Sequence, residues 1–133
     1  MRLLHSTSLD FHEYHDDVPS YLILSHTWGA SEVSYQEMRH LQKVEKLPPE
    51  LRRSVEFLAA LEAAAGFDFG HGQSITQRSD YKKILATAAV AKSKDYDFFW
   101  IDTCCIEKDS SAELQEAINS MFVWHQRTGL CVV

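Results

Sequence analysis

The chain has 133 residues, a formal net charge of −6, 45% hydrophobic residues and 24% charged residues. This length suits one domain, and this balance is typical of a globular fold with a buried core. No run of lysine or arginine stands out, which argues against nucleic acid or an anionic membrane as the main partner.

Targeting signals and cysteines indicate the compartment. Residues 1–6 hold no apolar core of signal-peptide length, and no window approaches the roughly 18 apolar residues of a membrane span. The cysteines are Cys104, Cys105 and Cys131, an odd number with two adjacent members, which makes a poor disulfide framework. These features predict a reducing, cytoplasmic location.

The first elements are short. Two apolar pieces within residues 1–17 flank Ser6-Thr7-Ser8, which predicts a small N-terminal β-hairpin. The apolar run from Tyr21 to Ser25 favours a buried strand. Ser34 and Glu37 have capping-box spacing and predict the start of a helix.

Residues 46–79 depart from a simple strand–helix rhythm. Residues 50–65 are typical of a helix, and 66–80 carry three glycines and several polar residues, as a loop does. We expect a helical and loop insertion within a single domain that covers residues 1–133.

The second half predicts a helix over 80–94, a strand over 98–101, a polar loop, a helix capped by Ser110 and Glu113, and a strand from Leu130. This alternation predicts an α/β fold with right-handed crossovers and a parallel sheet covered by helices. The residues expected to face the core are Ile84, Leu85, Ala88 and Ala91 in the first helix, and Leu114, Ile118, Met121 and Phe122 in the second. Because Phe122, Val123 and Trp124 cannot all face one side, the alternative is that part of the second helix forms an assembly face. Gly129 is a candidate helix C-cap.

Polar and aromatic residues follow two predicted strands, at the edge where open α/β sheets bind ligands. Ser25 and His26 offer hydrogen bonds, Trp28 a stacking face, and Gly29 a tight turn. The alternative is that Trp28 fills the core and His26 caps a backbone group. Asp102 could bind a ribose hydroxyl, orient His26, or cap a turn.

The cysteine pair and the charged loop each allow two interpretations. Cys104 and Cys105 are better explained as small buried side chains than as nucleophiles, and no Cys/His spacing of a zinc site is present. Glu107, Lys108 and Asp109 are either a solvated turn or a contact surface.

Several motifs carry a resemblance to the heterokaryon-incompatibility (HET) domain of filamentous fungi. They are Ile23-Leu24-Ser25-His26-Thr27-Trp28-Gly29, the segment from Trp100 to Ile106, the helix from Ser110 to Met121, and the shorter segments Met1-Arg2-Leu3-Leu4, residues 32–38 and Tyr81-Lys82-Lys83-Ile84. The resemblance covers nearly the whole chain and is least typical over 46–79. It implies an effector module of fungal self/non-self recognition and regulated cell death.

HET domains are similar to Toll/interleukin-receptor (TIR) domains, which are flavodoxin-like and in some cases cleave NAD. This similarity implies an interface loop at Glu107, Lys108 and Asp109 that contacts other HET or TIR-like domains, with a homo-oligomer possible. It also implies NAD as a possible ligand or substrate near Ser25, His26, Trp28, Gly29 and Asp102.

The catalytic glutamate of such enzymes follows the third strand, in a Trp-x-x-x-Glu type of pattern. Glu113 and Glu116 lie in the preceding helix and do not match it, so no catalytic residue is assigned. We therefore expect negligible NAD cleavage by residues 1–133 alone. A sheet that stops within its third parallel strand also predicts a marginally stable or oligomeric fold, incomplete at the C-terminus.

Overall fold

The computed structural model describes residues 1–25, 32–65, 75–76 and 78–132. Its strands and helices are those of a mixed α/β fold, in which three strands precede the first helix. In chain order they are β1 (Arg2–His5), β2 (Phe11–Glu13), β3 (Tyr21–Leu24), α1 (Tyr35–Glu45), α2 (Pro49–Ala65), α3 (Ser79–Ser93), β4 (Phe98–Trp100), α4 (Asp102–Cys105), α5 (Ser111–Arg127) and β5 (Leu130–Val132).

The five strands form one mixed sheet in the order β2-β1-β4-β3-β5. Strand β3 pairs in parallel with both β4 and β5, which confirms the predicted parallel centre. Strands β1 and β2 pair antiparallel, as predicted for the N-terminal hairpin, and β1 also pairs antiparallel with β4. The hairpin is therefore part of the main sheet.

The core lies on the central strands. All four residues of β3 are buried, as expected for a strand covered by helices on both faces. Phe99 and Trp100 of β4 and Leu3 and Leu4 of β1 are at most 1% exposed. The apolar runs of the sequence thus correspond to the interior of the sheet.

The predicted capping box of α1 is confirmed. The Ser34 side chain accepts a hydrogen bond from the Glu37 backbone N–H at 3.2 Å, and the Glu37 carboxylate accepts from the Ser34 N–H at 3.2 Å. Two N–H groups of the first turn thereby gain partners that a free helix end lacks.

The predicted inward faces of α3 and α5 are partly wrong. In α3, Ile84, Ala88 and Ala91 are buried, but Leu85 is 43% exposed. In α5, Ile118 is 58% exposed and Phe122 is 72% exposed. The buried position of α5 is Ala117, because the small alanine lets the helix approach the sheet, with Leu114, Met121 and Trp124 packed beside it.

Gly129 does not have the predicted helix C-cap conformation. The C-cap of α5 is Thr128, with extended backbone, and the φ of Gly129 does not lie in the left-handed region. A Cβ at position 129 would lie 2.5 Å from the Tyr96 hydroxyl oxygen. A larger residue at position 129 therefore fits only if the outer end of the Tyr96 side chain shifts.

Within the expected insertion over 46–79, the structure describes residues 46–65, 75–76 and 78–79, which include α2 and the first residue of α3. Helix α2 leaves several apolar side chains accessible to solvent, namely Leu51, Phe57, Leu58 and Leu61. Among the described residues, no helix is both long enough and apolar enough to cross a membrane.

Candidate functional site at the carboxyl ends of the parallel strands

The register of the sheet brings two predicted site residues to one edge. Ile23 of β3 is paired with Trp100 of β4, and Ser25 and Asp102 each follow two residues later in the same direction. The Ser25 N–H donates to the Val132 carbonyl of β5 at 2.7 Å. Both side chains are half-buried at this edge. The other predicted residues of this edge, His26, Trp28 and Gly29, lie outside the described residues.

Asp102 begins a short helix, α4, where the sequence predicted a polar loop. The Cys105 N–H donates to the Ile101 carbonyl at 2.9 Å, and the Cys105 Sγ accepts from the Ile101 N–H at 3.5 Å. The chain has left the strand ladder here, so the backbone satisfies its polar groups locally. The turn fixes Asp102 at the start of a buried segment.

The two adjacent cysteines support this turn from inside. Cys104 and Cys105 are both free and buried. A hydrogen bond from Cys105 and burial both raise the pKa of the Cys104 thiol well above its usual value. The thiol therefore stays protonated, in agreement with a structural role and against a nucleophile.

Lys108 lies beside this edge and is half-buried. Burial lowers the pKa of its ammonium group, and the negative charges of Asp102 and Glu32 oppose that change. The site therefore combines a carboxylate and a poorly solvated cation. Lys108 is a candidate for holding an anionic group, and it is not a fully solvated member of the charged loop.

The two other members of the charged loop are anchored. The Glu107 N–H donates to the Glu113 carboxylate at 3.1 Å, and Asp109 accepts from the Gln36 amide at 3.0 Å. Asp109 is exposed, whereas Glu107 is half-buried. The segment is held from α1 on one side and from α5 on the other.

Sequence reasoning missed the role of Arg2. Its guanidinium pairs with Glu113 and with Glu13, donates to the Cys105 carbonyl at 3.1 Å, and lies 4.3 Å from the centre of the Tyr35 ring. Burial disfavours the charged form, but the hydrogen bonds to the two glutamates prevail and raise the pKa of Arg2 above its usual value. The sequence does hold one signal for this cluster, namely a charged residue in an otherwise apolar strand, Arg2–His5. A charge that is buried in a sheet needs charged or hydrogen-bonding partners.

The predicted capping box of α5 is only half formed because its glutamate, Glu113, is engaged by Arg2. The Ser110 side chain accepts from the Glu113 N–H at 3.4 Å, as predicted. The Glu113 carboxylate is instead turned toward Arg2 and the Glu107 N–H. The prediction that the Glu113 carboxylate accepts from the Ser110 N–H is wrong, because the charged Arg2 offers that carboxylate a stronger hydrogen bond.

Comparison with known proteins identifies the family. Residues 21–133 match the family model described as "Heterokaryon incompatibility protein (HET)". The chain is 37% identical over 118 residues to "Vegetative incompatibility protein HET-E-1" of Podospora anserina. These aligned residues make up 87% of this chain and 6% of that protein. No solved structure matches it. The resemblance of the motifs is therefore confirmed, and the chain belongs to the heterokaryon-incompatibility (HET) domain family.

Proposed function

We propose that this domain is a cytoplasmic effector module of vegetative incompatibility, which contacts other HET or TIR-like domains to initiate regulated cell death. Family membership and the named relative support the biological role. The chain spans only 6% of the length of that relative. The geometry of the domain supports the proposed contacts with other domains.

The exposed apolar face of α5 carries this proposal. Ile118 and Phe122 are four residues apart and therefore neighbours on the helix surface, with exposures of 58% and 72%. Exposed apolar groups of this size are costly in water and are typical of contact surfaces. Val123 extends the exposed area at 38%.

The charged segment Glu107, Lys108 and Asp109 leads directly into the same helix. Its hydrogen bonds to α1 and α5 hold it in one conformation, so little conformational entropy is lost when a partner binds. We propose that this segment and the exposed face of α5 together form the homotypic contact surface.

Co-precipitation of two differently tagged copies, with cell viability measured in the same fungal culture, tests this function. We expect Phe122→Asp and Asp109→Lys to reduce both association and cell death. Phe57→Asp and Glu56→Lys on α2 are matched controls, because Phe57 is 65% exposed and Glu56 is also exposed. Equal loss in the control variants would contradict the assigned surface.

A second candidate function is NAD cleavage by a longer protein that contains this domain. The edge formed by Ser25, Asp102 and Lys108 favours it, since a carboxylate suits ribose hydroxyls and a lysine suits a pyrophosphate. His26, Trp28 and Gly29, which the sequence also predicts for this site, lie outside the described residues. A carboxylate outside residues 1–133 would stabilise the positive charge on the ribose, as carboxylates do in glycoside cleavage.

Calorimetric titration of the domain with NAD tests this candidate without requiring turnover. We expect binding that Asp102→Asn and Lys108→Ala weaken and that the exposed control Glu56→Gln leaves unchanged. Absence of binding at millimolar NAD would remove the NAD site and leave the contact function standing.

A further inference from the structure

Two adjoining clefts of about 300 and 480 Å³ run along α5, the first between this helix and the β1–β2 hairpin and the second between this helix and the segment 14–21 that follows the hairpin. They have four lining residues in common, Met1, His15, Glu116 and Trp124. The first cleft extends to Ser110 near the start of α5, and the second to Arg127 at its end. We call this surface the α5–hairpin groove.

Aromatic side chains form part of the groove lining. Trp124 is half-buried, and its ring centre lies 5.6 Å from that of the buried Trp100, in an edge-to-face arrangement. A half-buried indole offers a stacking surface to the apolar stem or the charged head of a basic side chain.

The groove is lined by five carboxylates, two guanidinium groups and one ammonium group. The carboxylates belong to Glu13, Asp16, Asp17, Glu113 and Glu116, the guanidinium groups to Arg2 and Arg127, and the ammonium group is the N-terminus at Met1, which donates to the Tyr14 carbonyl. Arg2 is engaged by Glu13 and Glu113. In the described part of the chain, no ion pair joins Asp16, Asp17 or Glu116 to a cation, so the groove keeps an excess of negative charge.

We propose that the α5–hairpin groove binds a lysine- or arginine-containing segment of a partner protein. Charge complementarity selects this occupant, because the carboxylates attract a cationic side chain and repel phosphate groups. Trp124 provides the stacking contact that a basic side chain can use and an acidic one cannot. The net charge of −6 acts in the same direction at long range.

The groove and the Ile118–Phe122 part of the homotypic surface lie on different sides of α5, whereas Val123 lies on the groove side, two turns from Glu116. At 3.6 residues per turn, Ser120 and Phe122 lie on opposite sides of α5, as do Glu116 and Ile118. Ile118 and Phe122 are therefore accessible to a second HET or TIR-like domain while the groove holds a basic segment. The two proposals are tested by different variants.

Fluorescence anisotropy with a labelled twelve-residue peptide of alternating arginine and alanine tests the groove, with a glutamate–alanine peptide as the control. We expect the domain to bind only the basic peptide, and less tightly as ionic strength rises. Charge reversal by Glu116→Lys or Asp16→Lys should weaken binding about tenfold or more, since each turns an attraction into a repulsion. Circular dichroism confirms that each variant is folded.

Two further variants distinguish binding in the groove from attraction to the net negative charge and from binding at the homotypic surface. Glu56→Lys makes the same change of charge on α2, and Phe122→Asp alters the homotypic surface; both should leave peptide binding nearly unchanged. The proposal is overturned if the basic peptide does not bind, if Glu56→Lys weakens it as much as Glu116→Lys, or if Phe122→Asp abolishes it.

Discussion

Arg2 in the first strand and Glu113 in the last helix form an ion pair across 111 positions of sequence. The same guanidinium bonds to Glu13 of β2 and to the Cys105 carbonyl of α4, and it stacks on Tyr35 of α1. One side chain thus connects elements from both ends of the chain. This cluster fixes the orientation of α5, which carries both proposed contact surfaces.

Loss of the Arg2 side chain should destabilise the whole domain. The Arg2 side chain is 10% exposed and that of Glu113 is 28% exposed. We expect Arg2→Ala to lower the free energy of unfolding by about 2 kcal/mol. This cost lies between those of breaking an exposed and a fully buried ion pair, because the pair is only partly accessible to solvent. Urea denaturation measures this, with the exposed Arg53→Ala as the control. An unchanged midpoint in Arg2→Ala would contradict the role of the cluster.

The Glu13–Arg2 pair should make stability depend on pH. The hydrogen bond from Arg2 holds the pKa of Glu13 below its usual value, against a smaller effect of burial. This stabilisation is present above the pKa of glutamate in the unfolded chain and is lost as the pH falls through the lower folded pKa. Glu13→Gln should therefore be less stable than wild type at pH 7, by less than about 1 kcal/mol since Glu13 is exposed. The difference in stability between Glu13→Gln and wild type should vanish in acid. Urea denaturation at several pH values measures it, and a difference that persists in acid would contradict the prediction.

Substitution of Gly129 tests the close approach of Tyr96. A Cβ at this position would lie 2.5 to 2.9 Å from atoms of the Tyr96 ring and hydroxyl. We expect Gly129→Ala to cost about 1–3 kcal/mol by overpacking. Thermal denaturation of the double variant Gly129→Ala/Tyr96→Ala provides the check. If the clash is the cause, the alanine at 129 should cost much less in the Tyr96→Ala background.

The two helix caps should differ in strength. Ser34 forms a complete capping box, whereas Ser110 lacks the reciprocal bond from Glu113. We expect Ser34→Ala to cost about 1 kcal/mol and Ser110→Ala less. Ser54→Ala, in the exposed part of α2, is the control for loss of a serine hydroxyl. A larger loss in Ser110→Ala than in Ser34→Ala would contradict this ranking.

Residues 1–133 should not consume NAD. Glu113, which lies in the last described helix, is committed to Arg2 and the Glu107 N–H, so it is not available as a catalytic carboxylate. We expect NAD loss at the rate of a protein-free control, measured by chromatography of nicotinamide release. Release well above that control would show that a catalytic carboxylate lies within this chain.

Local signals predicted the strands, the capping box of α1 and the burial of the cysteine pair. Apolar run length and capping spacing act over a few residues, so they are visible in the sequence. The Arg2 cluster was not predicted because its partners are distant in sequence and depend on how the hairpin joins β4. The inward face of α5 was wrong for a related reason: the sheet selects the small Ala117 and leaves Phe122 in solvent.

Sedimentation velocity of the purified domain over a range of concentrations tests the homotypic surface most directly. We expect concentration-dependent self-association that Phe122→Asp abolishes, that Asp109→Lys weakens, and that the matched control Phe57→Asp leaves intact. A domain that stays monomeric at all concentrations, or that associates equally well with aspartate at position 122, would contradict the homotypic surface.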